Sequence, residues 1–553
     1  METLKAFPLS FDSVRKSGDY HPSVWGDYFL SYNPISANEL ASLKPRMDEL
    51  KVEITQMFNN TKGSLQMMEL IDAIQRLGIG YHFEKEINEA LCHLFNTAYD
   101  ENDLYTVALR FRLLRQQRYH ISSDVFSKFL DEKGDFKDCF SSDAKALLSL
   151  YDAAHLGMAT EEILDKAINF SKTHLISMKS QLEPHFSLMV SSSLEIPLFK
   201  RTDRIKTRNY LSIYEQDTKF NEALLEFGKF DFICLQAMHQ EEARKLSMWW
   251  KNLGLSKRLP FSRDRLVECY FWVLSVYFEP YYSRARIIMT KCITQMSFLD
   301  DIYDVYGTVE ELHLLTDAIE GWDIKLIDKL PEYMQHSFRS LFETFKEIEI
   351  ELAPEQSSFR VQYLIYELKK VSKAYLQEAI WANKCYVPKL EEHFGASLLT
   401  AGYSFLTCAS YMGMKEAISK EVFDWVISLP EIVMSSCVIG RLMNDIVSFE
   451  HERKRTHVAS AVQSYAMEHG CSEEEACNKL TEMSNNAWKS INKEFVELSN
   501  LPLSLVWPIV NLARFNEFIY LGNDRYTNSS DHNMKQSINA VLVEPIQMEK
   551  VKD

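Results

Sequence analysis

An acidic cluster of the DDxxD form stands in an otherwise apolar stretch of the chain. Asp300, Asp301 and Asp304 have no basic partner one helical turn away, because no Lys, Arg or His occurs between Cys292 and Tyr306. Asp300 and Asp304 are four residues apart and would project from one face of a helix. Their mutual repulsion predicts that something outside the segment supplies positive charge. The alternative is an acidic turn on a solvated helix face, which the flanking apolar residues disfavour.

A second cluster, rich in oxygen ligands, lies further along the chain. Asn444, Ser448 and Glu452 repeat the four-residue spacing over two helical turns. Carboxylate, amide and hydroxyl oxygens, without thiolate or imidazole, suit a hard cation that keeps several waters and shares its coordination with substrate phosphates. The two clusters therefore predict a magnesium site between two helix faces.

Length and composition restrict the class of protein. The chain has 553 residues, which predicts at least two domains, and 46% of them are hydrophobic. Its formal net charge of −17 argues against binding to nucleic acid. The ten cysteines lack zinc-finger spacing and are interpreted as buried thiols. Residues 1–14 show no secretory signal, and no uncharged apolar run approaches the roughly 20 residues of a membrane span, so we expect a cytosolic protein without a transmembrane segment.

Hydrophobic periodicity predicts helices almost throughout. Only 17 Gly and 15 Pro are present, which leaves few turns for a strand-rich fold. The clearest predicted helices are 37–58, 104–117, 160–182, 361–381 and 473–498. Paired amphipathic helices in the first half suit an α-α barrel or solenoid. A domain boundary is placed near residues 215–225, which leaves both acidic clusters in the second half.

Two further motifs precede the acidic clusters in the chain. Arg263-Asp264-Arg265 precedes Asp300, and Arg15-Lys16 is separated by eight residues from Trp25. In this order the four motifs resemble the RRx8W, RxR, DDxxD and NSE motifs of plant class I terpene synthases, specifically of sesquiterpene cyclases. Lys16 replaces the second arginine of the family's pattern. Leu266–Pro280 is also similar to the family, and the resemblance covers nearly the whole chain.

The resemblance implies an all-α fold of two helical domains. Residues 31–220 would form an N-terminal α-barrel without its own catalytic motif, and residues 221–553 a C-terminal class I terpenoid synthase bundle that does the chemistry. Residues 1–30 would form an arm that caps the active site, although ordinary docking of a chain terminus explains Arg15 and Trp25 equally well. A DxDD acid is absent from residues 1–220, so initiation should occur by loss of diphosphate.

The resemblance also implies roles for the polar residues. Three magnesium ions, for which manganese could substitute, would be held by Asp300, Asp304, Asn444, Ser448 and Glu452. Asp301 would lie behind the metal ligands without binding the ion itself, or would form an ion pair. The diphosphate would be retained by cationic side chains, namely Arg263 and Arg441, followed by Arg265, Lys454 and Arg455. Arg441 could equally be a plain salt-bridge partner of Asp445.

Aromatic residues are expected to line the cavity in which a carbocation is protected from water. Trp272 and Tyr526 are assigned to this wall by resemblance, and Tyr403 and Tyr520 are further candidates; on spacing alone, each could instead be an ordinary core residue. Asp524 and Tyr526 belong to a loop, Leu521–Ser530, that is expected to close over substrate. Thr400-Ala401-Gly402 interrupts a helical stretch and could expose backbone carbonyls to the cavity, or could mark a simple helix crossing.

These expectations combine into one predicted function. The protein should be a monomeric, magnesium-dependent sesquiterpene synthase that converts (2E,6E)-farnesyl diphosphate into a C15 terpene and diphosphate. A monoterpene synthase acting on geranyl diphosphate is the first alternative. A chain-elongating prenyltransferase would require a second aspartate-rich motif, where this chain has Asn444, Ser448 and Glu452. A catalytically silent helical scaffold is the alternative from another class.

Overall fold

The computed structural model describes residues 18, 20–97, 101–452, 458–528 and 530–547, and only the backbone of 450–452. Within these ranges the elements are helices without any β-strand, and the one isolated β-bridge joins Leu130 to Phe136. The prediction of an all-α fold is confirmed. Each of the five clearest predicted helices is present, with ends that differ by no more than a few residues.

The first half of the described chain forms nine α-helices. They are α1 (Tyr28–Ser31), α2 (Ala37–Asn60), α3 (Ser64–Arg76), α4 (Glu84–Asn96), α5 (Leu104–Gln116), α6 (Ala144–Ala154), α7 (Glu162–Met178), α8 (Pro184–Glu195) and α9 (Asp203–Tyr214). The local sequence explains where several of these helices begin. Ser36 and Glu39 form a capping box at α2, and the side chains of Asp103 and Asp143 accept backbone N–H groups at the starts of α5 and α6.

The second half of the described chain forms fifteen α-helices. They are α10 (Glu222–Leu253), α11 (Leu255–Arg258), α12 (Leu266–Val276), α13 (Ser283–Asp301), α14 (Val309–Gly321), α15 (Glu332–Leu352), α16 (Phe359–Asn383), α17 (Leu390–Thr400), α18 (Tyr403–Met412), α19 (Lys420–Ile427), α20 (Glu431–Glu452), α21 (Ala461–His469), α22 (Glu473–Glu497), α23 (Leu503–Ile519) and α24 (His532–Ile538). A π-helical turn, Ile302–Tyr306, continues α13.

Two large hydrophobic cores hold the helices together, and α10 takes part in both. Phe227 and Phe230, near its start, belong to the core of the first half, whereas Leu246 and Trp250, near its end, belong to the core of the second half. The first core also includes residues of α20, α22 and α23. The two halves are therefore joined by shared apolar packing, and the predicted boundary at residue 220 falls just before α10.

A half-buried arginine adds a polar anchor between the halves. Arg118 Nε donates to the carbonyl of Phe495 at 2.8 Å and Nη1 to that of Leu501 at 2.6 Å, and Nη2 donates to that of Leu498. These carbonyls lie at and beyond the C-terminus of α22, where the regular helical hydrogen bonds end. One side chain of the first half thus satisfies the end of a helix in the second.

Residues Glu431–Phe449 of α20 are long and apolar enough, by length and composition, to cross a membrane. More than half of this stretch is buried inside the protein, where α20 packs against α22 and α23. Such a composition is also that of a core helix in a helical bundle.

Candidate active site

A cavity of about 830 Å³ opens within the second half of the chain. Its walls come from α12, α13 with its π-helical turn, α16, the junction of α17 and α18, α20, and the loop after α23. Gly18, Tyr20 and His21 also line it, so the N-terminal segment contributes to the wall. Residues far apart in sequence thus converge on one chamber of a size ordinary for a small-molecule site.

The first acidic motif divides between the cavity and the core. Asp300 and Asp304 line the cavity, whereas Asp301 is fully buried and faces Arg263. Burial, together with the neighbouring Asp304 carboxylate, raises the pKa of Asp300, although Arg263 opposes this shift. Burial raises the pKa of Asp301 to about 7, again against the effect of Arg263. The predicted spacing therefore brings two carboxylates together where a cation would relieve their repulsion.

Glu378 of α16 is a further carboxylate of this cavity, and the sequence analysis missed it. Burial raises its pKa to about 8, and the negative charges of Asp304 and Asp300 act in the same direction, while Arg441 opposes them. Its Oε1 accepts a hydrogen bond from Thr400 Oγ1 at 3.0 Å. A lone glutamate in a long helix carries no motif, so no sequence signal distinguished it.

Three described polar side chains of the second motif line the cavity, and they differ in their partners. Asn444 and Ser448 line the cavity, and Ser448 Oγ is buried without a hydrogen-bond partner. Asp445 also lines the cavity, but it lies 3.0 Å from Arg441 Nε and accepts the backbone N–H of Ala461 at 2.6 Å. The side chain of Glu452 lies outside the described residues. An orphaned hydroxyl beside an amide and three carboxylates is a donor set that fits a hard divalent cation.

The described side chains do not make a complete metal cage. Among them, no three His, Cys, Asp or Glu residues converge closely enough to hold an ion by themselves. Magnesium commonly takes one or two protein carboxylates and completes its shell with water and substrate phosphate. The donor set is consistent with binding of that kind.

Arg263 occupies a position next to the first motif. Its guanidinium contacts two aromatic rings, 5.2 Å from the ring centre of Tyr20 and 5.3 Å from that of Tyr526. It forms ion pairs with Asp300 and, at 2.9 Å, with Asp301, and its backbone N–H donates to Asp301 at 2.7 Å. Since it also lines the cavity, it is placed to meet an anion there.

Arg441 lies on α20, three residues before Asn444 of the second motif. Its position fits both predicted roles, that of a cation facing the cavity and that of a salt-bridge partner of Asp445. It lines the cavity, and it donates to Asn444 Oδ1 and pairs with Asp445. Burial alone would raise the pKa of Asp445, yet the charge of Arg441 and a contact with His393 lower it. Contact with substrate phosphate remains a prediction.

Arg265 has a position different from the one expected for a phosphate ligand. It is not among the residues that line the cavity and is almost fully buried. Its guanidinium donates to the backbone carbonyls of Tyr526 at 3.1 Å, Thr527 at 3.0 Å and His21 at 2.9 Å. Arg265 therefore joins the loop after α23 to the N-terminal segment. Lys454 and Arg455, like Arg15 and Lys16, lie outside the described residues.

Aromatic residues line the cavity as the sequence analysis expected. Trp272, Tyr403, Tyr520 and Tyr526 all face it, together with Tyr375, which was not predicted. Trp272 stacks on Phe515 with ring centres 4.9 Å apart and meets Tyr526 edge-on at 6.0 Å. The hydroxyl of Tyr526 donates to Ser297 Oγ at 2.5 Å.

The predicted break at Thr400-Ala401-Gly402 is confirmed. Helix α17 ends at Thr400, Gly402 has a φ of +79°, and α18 begins at Tyr403. A left-handed φ of this kind favours glycine because it has no Cβ. All three residues of the break line the cavity.

Asp524 fixes the loop rather than reaching a partner across the cavity. Its Oδ1 accepts the backbone N–H groups of Tyr526 at 2.9 Å and Thr527 at 3.0 Å. Asp524 and Tyr526 both line the cavity. Trp25, which belongs to the predicted N-terminal arm, is buried and packs on Phe29 with ring centres 5.9 Å apart.

Two family models match the chain. The terpene synthase N-terminal domain matches residues 24–194, and the metal-binding domain of the terpene synthase family matches residues 251–490. The chain therefore belongs to the terpene synthase family, and the predicted two-domain helical fold is confirmed. The predicted divalent metal cofactor is supported at the level of the domain, which is defined by metal binding.

Similar proteins narrow the class. The chain is 47% identical to alpha-humulene synthase of Zingiber zerumbet and 47% identical to (+)-germacrene D synthase of Zingiber officinale, with 96% of each chain covered. A solved limonene synthase with 2-fluorolinalyl diphosphate superposes with a TM-score of 0.91 at 30% identity, covering 96% of this chain and all of the other. Isoprene synthase of grey poplar, solved with three Mg²⁺ ions and dimethylallyl-S-thiolodiphosphate, gives 0.87 at 33% identity, covering 92% and 98%. The predicted membership in the sesquiterpene-forming branch of a lyase family is confirmed.

Proposed function

We propose that the protein is a sesquiterpene synthase that ionises (2E,6E)-farnesyl diphosphate and cyclises the resulting cation to a C15 terpene. The observation that carries this proposal is a single cavity that holds both kinds of group the reaction needs. Carboxylate, amide and hydroxyl oxygens occupy part of its wall, and aromatic rings occupy another part. The first set suits metal-bound diphosphate and the second suits a hydrocarbon cation.

Departure of diphosphate requires positive charge rather than a proton acid. Magnesium ions, when bound, supply it by neutralising the charge that develops on the leaving oxygens. Asp300, Asp304, Asn444, Ser448 and Glu452 are the residues that would hold three such ions, and Glu378 is added to them because it lines the same cavity.

The two cavity arginines retain the leaving group in this proposal. Arg263 and Arg441 both line the cavity, from the first and second motif sides respectively. The guanidinium of Arg263 is restrained by contacts with Tyr20 and Tyr526, so little side-chain entropy is lost when it meets an anion. A planar fork of N–H donors matches phosphate oxygens two at a time.

The rest of the wall keeps the cation from water and shapes its path. The faces of Trp272 and the cavity tyrosines stabilise positive charge through the ring quadrupole. Carbonyl dipoles at the break before α18 are a second source of such stabilisation. Arg265 excludes water indirectly, since it joins the Tyr526 loop to the N-terminal segment.

The choice of a C15 substrate is supported by the relatives rather than by the cavity. The relatives at 47% identity are named for sesquiterpene products, whereas the solved limonene synthase is 30% identical. A cytosolic, monomeric enzyme is the accompanying proposal. Neither the monoterpene alternative nor the silent scaffold is favoured by a specific observation.

The test is product analysis by gas chromatography with mass detection. Purified protein is given farnesyl or geranyl diphosphate, with magnesium, with manganese or with EDTA. Cyclic C15 products that disappear in EDTA are expected. Asp304→Asn should lower turnover by orders of magnitude, whereas Asp317→Asn, which alters an exposed aspartate of the adjacent helix α14, should not. Only C10 products, or an active Asp304→Asn variant, would contradict the proposal.

A further inference from the structure

A second cavity, of about 410 Å³, lies where the two halves of the chain meet. One wall comes from residues 192–209, around the end of α8 and the start of α9, and the other from residues 518–544. The loop after α23 separates it from the active-site cavity. Leu521 and Arg525 line the second cavity, whereas Asp524 and Tyr526 line the first.

The walls of this interdomain cavity are strongly cationic. Five basic side chains line it, from Lys200, Arg201, Lys206, Arg208 and Arg525. The two carboxylates that line it, Glu195 and Glu544, are both exposed, so solvent screens them. Such a concentration of positive charge is unusual in a chain whose formal net charge is −17.

Two of the five cations are neutralised by partners. Lys200 Nζ lies 3.2 Å from Glu517, and Lys206 Nζ lies 2.5 Å from Asp203. Because both lysines are paired, the three arginines determine the charge of the cavity.

The three arginines are poorly compensated. Within the described ranges, no carboxylate lies at ion-pair distance from Arg201 or Arg208, and the nearest to Arg525 is Asp531, at 3.9 Å. The Nε atoms of Arg201 and Arg525 are buried without a hydrogen-bond partner, and Arg525 is only 5% exposed. Burial lowers the pKa of Arg201 to about 10, although the carboxylate of Asp152 opposes this shift.

We propose that this cavity binds a phosphate-type anion between Arg201, Arg208 and Arg525. Guanidinium groups pair with phosphate oxygens through parallel N–H donors, and the two orphaned Nε atoms would gain acceptors. Inorganic phosphate and inorganic diphosphate share this chemistry; diphosphate as a physiological source rests on the proposed function, which releases it. Because Arg525 belongs to the loop that carries Asp524 and Tyr526, the bound anion also holds that loop against the first half of the chain.

The test is isothermal titration calorimetry of the full-length protein at low ionic strength, with EDTA to exclude metal-dependent binding in the active site. Sodium phosphate and sodium diphosphate are titrated in separate arms, and the tighter arm identifies the source. Arg208→Gln should weaken binding about tenfold or more. Arg339→Gln, which removes an exposed arginine of α15, is the matched control and should bind as the wild type does.

A further variant separates this site from the active site. Arg441→Gln should leave the affinity unchanged if the anion occupies the interdomain cavity. Without added anion, the melting temperature of Arg208→Gln should equal that of the wild type, which shows that this variant is folded and keeps the outcome independent of the proposed function. Weaker binding in Arg441→Gln with normal binding in Arg208→Gln would overturn the proposal, as would the absence of saturable binding below about 10 mM.

Discussion

Gly440 is predicted to set the position of a tyrosine in the active-site wall. It lies on α20, and a Cβ built on it would stand 2.5 Å from Cε2 of Tyr403 and 2.8 Å from its hydroxyl oxygen. The Tyr403 hydroxyl donates to Asn516 Oδ1, and both side chains are buried. In Gly440→Ala the ring has to move away, because the Cβ of the new residue occupies its place.

The size of the effect follows from these contacts. Carbon atoms pack at about 3.5 Å, so the ring has to shift by about 1 Å. Overpacking of this kind costs about 1–3 kcal/mol, and loss of the Tyr403 to Asn516 hydrogen bond adds about 1 kcal/mol. The better helix propensity of alanine returns up to about 1 kcal/mol. We expect a net loss of about 1–3 kcal/mol and, because Tyr403 lines the cavity, a changed ratio of terpene products.

Thermal unfolding and product analysis by gas chromatography check both parts. Gly395→Ala is the matched control, because Gly395 is an exposed glycine of α17 whose added Cβ would meet no atom within 4 Å. The control should be neutral or more stable than the wild type and should give unchanged products. If Gly440→Ala matched the control in melting temperature and product ratio, the inferred role of the close approach to Tyr403 would be refuted.

Three further changes test other contacts. Arg265→Lys should raise the share of alcohol products in chromatography, because lysine cannot serve all three carbonyls that close the loop; an unchanged share would contradict this. Arg118→Met should lower stability by about 2–4 kcal/mol in thermal unfolding, since it removes the anchor between the halves; an unshifted melting temperature would contradict it. Burial alone would raise the pKa of the Asp72 carboxyl, yet Arg112 and Arg76 hold it at about 2, below its usual value of 3.8. The ionised form therefore stabilises the fold above about pH 4, so Asp72→Asn should cost at least about 2 kcal/mol at pH 7; the difference should shrink as the pH falls towards 2, and a constant difference would contradict the reasoning.

The helices and the two acidic motifs could be predicted from sequence because they depend on local patterns. Periodic apolar residues mark a helix wherever it packs, and the four-residue spacing of Asp300 and Asp304 places both on one face. The break at Gly402 was predictable for the same reason, since glycine lowers helix propensity locally. The aromatic candidates Trp272 and Tyr526 needed the family resemblance, because an aromatic residue on a helix is equally consistent with a core.

The remaining site residues could not be predicted because their roles depend on distant segments. Glu378 has no neighbouring motif, and its role appears only when α16 packs against the π-helical turn after α13, at the cavity that α20 also lines. Arg265 shares a motif with Arg263, yet the path of the chain turns it towards backbone carbonyls while Arg263 faces the cavity. Spacing identifies which side chains share a face but not what lies opposite that face.

By itself the sequence determined the chemistry that is available: oxygen ligands at helical spacing, arginines near them and a surplus of aromatic residues. Local interactions suffice for this, because residue type and helix periodicity are properties of short segments. Tertiary structure alone decided which of those groups meet. It brought Glu378 to the aspartates, turned Asp301 and Asp445 towards arginines, and gathered basic residues from both halves around a second cavity. Such encounters depend on the packing of helices separated by tens to hundreds of residues, which no local pattern encodes.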